Sequence, residues 1–185
     1  MNINENIRWL LSFYRTSEIS GALFFGQLAR SMKPGIIQHN MTQQFADEAQ
    51  HSRYWGNCLK QLNMQPIKLE RSYQDYYLKA AGLPSNLMEV LAITHVFELR
   101  VFEQYSHHKK IISQPKIVLQ TLDTIIDEEV WHLKWVRKAL KDMEAEYGVN
   151  EVQSTIKRFM QADKDAYLKV TDEYQDRIET MMVTA

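Results

Sequence analysis

Two Glu-x-x-His motifs, Glu48-Ala49-Gln50-His51 and Glu129-Val130-Trp131-His132, carry the chemistry most readily read from this chain. Residues three apart share a helix face, so each motif can aim a carboxylate and an imidazole at one point. Each lies within an apolar stripe: Ile37, Met41 and Phe45 before the first and Trp55, Leu59 and Leu62 after it; Val118, Leu122 and Ile125 before the second and Val136, Leu140 and Met143 after it. Two further stripes are each interrupted by one acid. Glu18 breaks the run Ile3, Ile7, Leu10, Leu11, Tyr14 … Gly21, Ala22, Phe25, Leu28, Met32, and Glu98 breaks the run Leu87, Val90, Leu91, Thr94 … Val101, Tyr105. An isolated buried carboxylate costs several kcal/mol unless it is paired, protonated or bound to metal. Four facing one another cannot all ionise without cations between them, and two divalent ions would leave the centre neutral. Oxygen and imidazole donors without thiolate suit iron or manganese better than a structural zinc. The expected ligands of a dinuclear centre are therefore Glu18, Glu48, His51, Glu98, Glu129 and His132.

The ordinary alternative is that a seam Glu keeps its head in solvent and an inward His is a hydrogen-bonded core residue. That explanation must hold four times at matching depth. For Glu103, Glu128, His95, His107 and His108 as ligands it stands: Glu103 lies well round its helix from Glu98, and His107-His108-Lys109-Lys110 reads as a solvated helix end. Metal-bound histidines usually donate their other ring N–H to a carboxylate. Asp47 and Glu128 immediately precede the two motif glutamates, so Asp47 is expected to support His132 and Glu128 to support His51, with Asp127 a rival to Glu128.

Such a site needs helices, and the punctuation supplies them. Pro34-Gly35, Pro66, Gly82-Leu83-Pro84-Ser85, Pro115 and Gly148-Val149-Asn150 separate segments whose apolar residues recur every three or four positions. The expected helices span about 3–32, 36–63, 85–113, 115–147 and 150–182. Short links pair the first with the second and the third with the fourth. The long stretch from Pro66 to Pro84 lets the second hairpin restart from the far end, as in a four-helix bundle with one long crossover. Tyr73, Tyr76, Tyr77 and Leu78 imply a short helical piece within it. The fifth helix, with Val152, Ile156, Phe159, Met160, Tyr167, Val170, Tyr174, Ile178 and Met181, covers one side of the bundle or packs on a second subunit as a homodimer. Its Lys157, Arg158, Lys164 and Lys169 are balanced by Asp163, Asp165, Asp172 and Glu173, against membrane attachment.

Bulk properties agree with one all-α domain over 1–185. The chain has 45% hydrophobic and 24% charged residues, which argues against disorder. Its net charge of -1 gives no basic field for nucleic acid. A single cysteine, Cys58, excludes a disulfide framework and a Cys-rich metal site and suits a reducing compartment. The N-terminal residues do not read as a secretory signal, and the longest apolar run, Ile19 to Ala29, is too short to span a bilayer. A cytoplasmic location is the expectation.

With one Glu on each of two helices and Glu-x-x-His on the other two, the chain resembles the ferritin-like di-iron superfamily across about residues 5–145. Glu18-Ile19-Ser20-Gly21-Ala22, Gly26-Gln27-Leu28-Ala29 and Asp127-Glu128-Glu129-Val130-Trp131-His132 look like the demethoxyubiquinone hydroxylase branch. The segment Glu48 to Leu62 also looks like aldehyde-deformylating oxygenases, and rubrerythrins share the ligand pattern. The chain departs from classical rubrerythrin in having no Cys-x-x-Cys pair, and from the hydroxylase in showing no membrane-binding helix. The resemblance implies a ferritin-like bundle and two iron ions, with manganese or a mixed manganese–iron pair as alternatives. It also implies dioxygen or peroxide chemistry fed by an external electron donor.

Three functions compete on these residues. The first is an oxidase or oxygenase acting on a small apolar organic substrate. The second is a ferroxidase or peroxidase of ferritin or rubrerythrin type, and the third a non-catalytic interaction module. Phe24, Phe25, Phe45, Trp55, Phe97, Phe102 and Trp135 could line a dry channel, although a helical stripe of aromatics is ordinarily core. Tyr14 and Tyr105 lie one or two turns from expected ligands, close enough for electron exchange, though packing is the ordinary role. No residue is assigned to catalysis itself.

Overall fold

The computed structural model describes the backbone of residues 3–111 and 115–182, with side chains over 5–110 and 115–170. It contains six helices and, among the described residues, no strand: α1 (Ile3–Ser31), α2 (Ile36–Gln61), α3 (Tyr73–Ala81), α4 (Leu87–Ile111), α5 (Lys116–Tyr147) and α6 (Val149–Met182). The expected boundaries hold to within about two residues, and α3 is the expected helical piece of the crossover. Its start is fixed by a capping box, in which the Asp75 N–H donates to Ser72 Oγ at 3.3 Å and the Ser72 N–H to Asp75 Oδ2 at 2.6 Å. Asn86 caps α4 similarly, accepting from the Glu89 N–H at 2.9 Å. Gly148, at φ 83°, provides the left-handed turn between α5 and α6 that a β-branched residue would strain.

The helix directions follow from which side chains meet. Along α1, Tyr14 packs on Tyr105 and Phe24 on Phe97, so α1 and α4 run antiparallel. Gln44 meets Glu98 and Trp55 meets Tyr105, so α2 runs parallel to α4. Gln44 also meets Trp135 while His51 meets Glu128, which sets α2 antiparallel to α5. The connection from α2 to α4 must therefore travel the length of the molecule. Early in that path the Ile67 N–H donates to Ser12 Oγ at 3.0 Å, and Arg8 Nε donates to the Gln65 carbonyl at 2.7 Å. The core of Leu11, Tyr14, Phe25, Trp55, Leu91, Ile93, Leu122 and Val136 is almost wholly buried. Each such side chain contributes about 1.5–3 kcal/mol. Cys58 is buried and free, and burial pushes its thiol up to about 11, against a weaker opposing hydrogen bond to Thr121. No helix among the described residues is long and apolar enough to cross a membrane.

α6 packs on α3, α4 and α5 and touches α1, burying Val152, Phe159, Ala162, Ala166 and Val170. Met160, expected on that face, is 38% exposed. Tyr174, Ile178 and Met181, with Asp172 and Glu173, lie outside the described side chains. Asp163, read from sequence as a balancing surface charge, is instead buried. It accepts from Arg100 Nε at 2.9 Å and Nη2 at 2.5 Å, and from the Tyr73 hydroxyl. Arg100 also lies 4.2 Å over the Tyr167 ring. One carboxylate thus ties α3, α4 and α6 together. Removing one partner of such a pair strands the other, so Asp163→Ala is expected to destabilise the fold by about 3–5 kcal/mol. Thermal unfolding checks this; a loss under about 1 kcal/mol would show that the tie is not structural.

Candidate metal centre

All six expected ligands converge at mid-length of four helices, each at most 4% exposed: Glu18 from α1, Glu48 and His51 from α2, Glu98 from α4, Glu129 and His132 from α5. Two overlapping sets of four form within it. Glu18, Glu48, His51 and Glu129 make one, and Glu48, Glu98, Glu129 and His132 the other; within each, the donor atoms lie within 4.8 Å of one another. Glu48 and Glu129 belong to both. Two groups of donors sharing two carboxylates have the connectivity of a two-ion site, with one imidazole at each end.

The imidazoles are oriented for this. His132 Nδ1 faces Glu129 Oε2 at 2.8 Å, Glu98 Oε2 at 3.2 Å and Glu48 Oε1 at 3.5 Å. His51 Nδ1 faces Glu129 Oε1 at 3.2 Å and Glu18 Oε2 at 4.0 Å. The opposite nitrogens point outward to acids: His51 Nε2 to Glu128 Oε2 at 2.9 Å and His132 Nε2 to Asp47 Oδ2 at 3.3 Å. Both support pairs expected from sequence are present, and Glu128 rather than Asp127 takes the position. His51 Nδ1 and Glu129 Oε1 are buried with no hydrogen-bond partner although both face the centre, which is the pattern of donors meant for a cation. The residues therefore fit a pair of metal ions. A proton held on each outward nitrogen fixes the tautomer that leaves Nδ1 free to ligate. Replacing Asp47 or Glu128 by Ala is expected to weaken metal affinity about 10–100-fold while leaving the helical content unchanged. A competitive chelator titration measures it; wild-type affinity in both variants would show the pairs to be incidental.

Protons and cations compete for this cluster. On the protein groups alone, burial and then repulsion from Glu98, Glu129 and Glu18 push Glu48 well above the usual carboxylate range. Burial and Glu129 bring Glu98 up to about 8. Burial also opposes charge on Glu129, but His132 and His51 outweigh it and hold that carboxyl well below the usual range. Burial works against His51 too, yet the hydrogen bond to Glu128 and the nearby Glu129 carboxylate raise it to about 10. The result favours an ionised Glu129 between two imidazoliums, with the neutral form favoured on Glu48 and Glu98.

Sequence reasoning missed Gln44. The stripe was drawn through Phe45, which is 38% exposed with its ring laid over Gly26, whereas Gln44 is wholly buried. Gln44 donates through Nε2 to Glu98 Oε1 and accepts at Oε1 from Trp135 Nε1 at 3.1 Å. Position 44 is one turn before Glu48, which was the available signal, but an amide is an unexpected core residue until its partners are known. Glu18 has an equivalent holder: the Tyr105 hydroxyl donates to its Oε1 and accepts from Trp55 Nε1 at 3.2 Å.

His108 is a correction. It is 2% exposed, not part of a solvated helix end, because the last turns of α4 lie against α1 and its ring packs 5.6 Å from Tyr14. Burial lowers it to about 4. The unfolded chain takes up this proton near 6.5 while the folded chain resists it, so stability is lost as pH falls from about 6.5 toward 4, by up to about 3 kcal/mol. His108→Phe is expected to flatten that part of the pH–stability curve in chemical denaturation; an unaltered slope would rule it out.

Comparison with protein-family models, with curated proteins and with solved structures finds no match to the chain. The class defined by fold and site is thus an all-helical protein whose buried Glu and His residues are placed to hold metal ions.

Proposed function

We propose that the chain is a ferritin-like di-iron oxidase or oxygenase, using dioxygen to oxidise a small apolar organic molecule. The observation that carries the reading is the pair of overlapping donor sets sharing Glu48 and Glu129. Two iron ions held there would supply the paired electrons that dioxygen reduction requires, and manganese in one position would keep the same donors. Asp47 and Glu128 set the imidazoles, Gln44 sets Glu98, and the Tyr105 hydroxyl orients Glu18 by donating a hydrogen bond to it. Near-complete burial excludes bulk water, which strengthens each of these interactions.

An apolar substrate has surfaces to meet. Leu28, Met32, Ile37, Leu87 and Val90 line a pocket of about 640 Å³ at the end of the bundle where the α1–α2 and α3–α4 connections lie. Val90 is eight residues from Glu98, or about 12 Å along α4, and Phe25, Leu91, Thr94 and Phe97 are buried over that stretch. The burial of all six donors also favours a second reading, a ferroxidase or peroxidase whose substrates are small enough to need no channel. Protein loaded anaerobically with ferrous iron separates the two. Dioxygen consumption raised by apolar alcohols or aldehydes, with product formed, supports the oxygenase. Rapid peroxide turnover indifferent to them supports the second reading, and no reaction with either oxidant overturns both.

A further inference from the structure

On the side away from the metal centre, α1 and α2 are joined by two contacts that glycine makes possible. A Cβ added to Gly26 would lie 3.1 Å from the Phe45 ring, and one added to Gly56 would lie 3.6 Å from Arg15 Nε. Glycine inside a helix is destabilising relative to alanine. Here each glycine seats a side chain of the other helix. The two contacts are about 16 Å apart along the pair. Between them the pair exposes apolar residues: Leu23, 69% exposed, on α1, and Ala46 and Ala49 on α2, with Phe45 itself 38% exposed. Among the described residues no other helix covers this side, because α2 packs only on α1 and α5.

The charge around this strip has one sign. From Arg15 to Lys60 the chain has three acids. Glu18 and Glu48 are buried in the centre, and Asp47 turns to His132 on the α5 side. Arg15, Arg53 and Lys60 stand at one end of the strip and Arg30 at the other, none of them in an ion pair among the described residues. Arg30 and Lys60 fall in the last turns of their helices, where a cation meets the helix dipole. Arg15 and Arg53 are in mid-helix and have no such reason. In a chain of net charge -1, this face is a local positive pole.

We propose that the outer face of α1 and α2 is a docking surface for an acidic protein. Its carboxylates would meet the arginines at both ends, and its apolar residues would cover Leu23 and Phe45. Exposed arginines around an apolar centre have the composition of a protein-binding patch. A second copy of this chain does not fit, because any two-fold pairing of the face with itself brings cations against cations. Nucleic acid would neutralise the arginines but leave the apolar strip uncovered. The surface is independent of the metal-binding reading.

A fluorescein-labelled synthetic peptide of about five helical turns, with a leucine stripe between rows of glutamate, probes the face by anisotropy. Its affinity for the full chain is expected to fall about three- to tenfold in Arg53→Glu, about tenfold or more when Arg15→Glu is added, and about threefold or more in Leu23→Ser. Lys138→Glu, on α5, leaves it unchanged. Arg53 and Leu23 are exposed, so their variants decide the matter even where Arg15→Glu disturbs the contact with Gly56. Wild-type affinity in both Arg53→Glu and Leu23→Ser overturns the surface. Tighter binding of a single-stranded oligonucleotide of equal charge, or of phosphatidylglycerol vesicles, overturns the acidic protein in favour of that partner. A wild-type dimer that Leu23→Ser dissociates overturns it in favour of a second copy.

Discussion

Glu129→Gln is expected to abolish metal uptake and lower the melting temperature of the chelator-treated protein, whereas Glu48→Gln abolishes uptake with little loss of stability. Both carboxylates belong to both donor sets, so either change should reduce about two ions per chain to under half an ion. Their roles in the protein alone are opposite. Glu129 is the ionised acid between two imidazoles, 2.8 Å from His132 Nδ1 and 3.2 Å from His51 Nδ1. Neutralising it strands two buried cations, at a cost of about 3–5 kcal/mol, or roughly 10 °C in a protein of this size. Glu48 is already driven toward its neutral form by burial and by three neighbouring carboxylates, and Gln keeps its shape. Its change should stay within about 1 kcal/mol. Plasma emission spectrometry and thermal unfolding in chelator measure the two quantities. If Glu129→Gln kept two ions, or if both variants melted equally low, the assignment of charge within the cluster would be wrong.

Raising the pH from 6.5 to 8 is expected to destabilise the chelator-treated protein and stabilise the metal-loaded one. In the unfolded chain His51 loses its proton near 6.5 and Glu98 near 4.5, but in the fold they keep them to about 10 and about 8. The folded state therefore binds more protons across this window, and each extra proton held costs about 1.4 kcal/mol of stability per pH unit. Cations reverse the sign, because the same groups must release their protons to ligate, and rising pH then favours the bound form. Thermal unfolding over that range, with chelator and with excess manganese(II), should give slopes of opposite sign. Parallel slopes would mean that metal does not displace these protons.

The backbone plan was legible because its signals are local. Pro34-Gly35, Pro115 and Gly148 end helices for reasons confined to a few residues, and three-and-four periodicity shows which side of each helix faces inward. The same periodicity exposed the six buried Glu and His residues, since each is a polar residue where an apolar one belongs. The support of His51 by Glu128 and of His132 by Asp47 was also readable, because both acids sit beside the motifs they serve across the bundle. What stayed hidden was polar burial that depends on distant partners. Asp163 looks like any surface acid until Arg100 and Tyr73, 63 and 90 residues away, close around it. Gln44 and Gln74 are amides whose burial only Glu98, Trp135 or the face of Gly21 explains. His108 lies beside two lysines that reach water, while its own ring turns toward α1.

The Tyr105 hydroxyl on Glu18 and the Gln44 amide on Glu98 have a consequence for the two ends of the cluster. The motifs on α2 and α5 are near-copies related by an approximate two-fold, but their neighbours are not. A phenol withdraws electron density from one terminal carboxylate more strongly than an amide does from the other, so Glu18 is the poorer donor of the pair. A symmetrical cage would fill both seats alike. Were metal ions bound here, that difference would rank the two ends and favour the Glu98 end for the first of them.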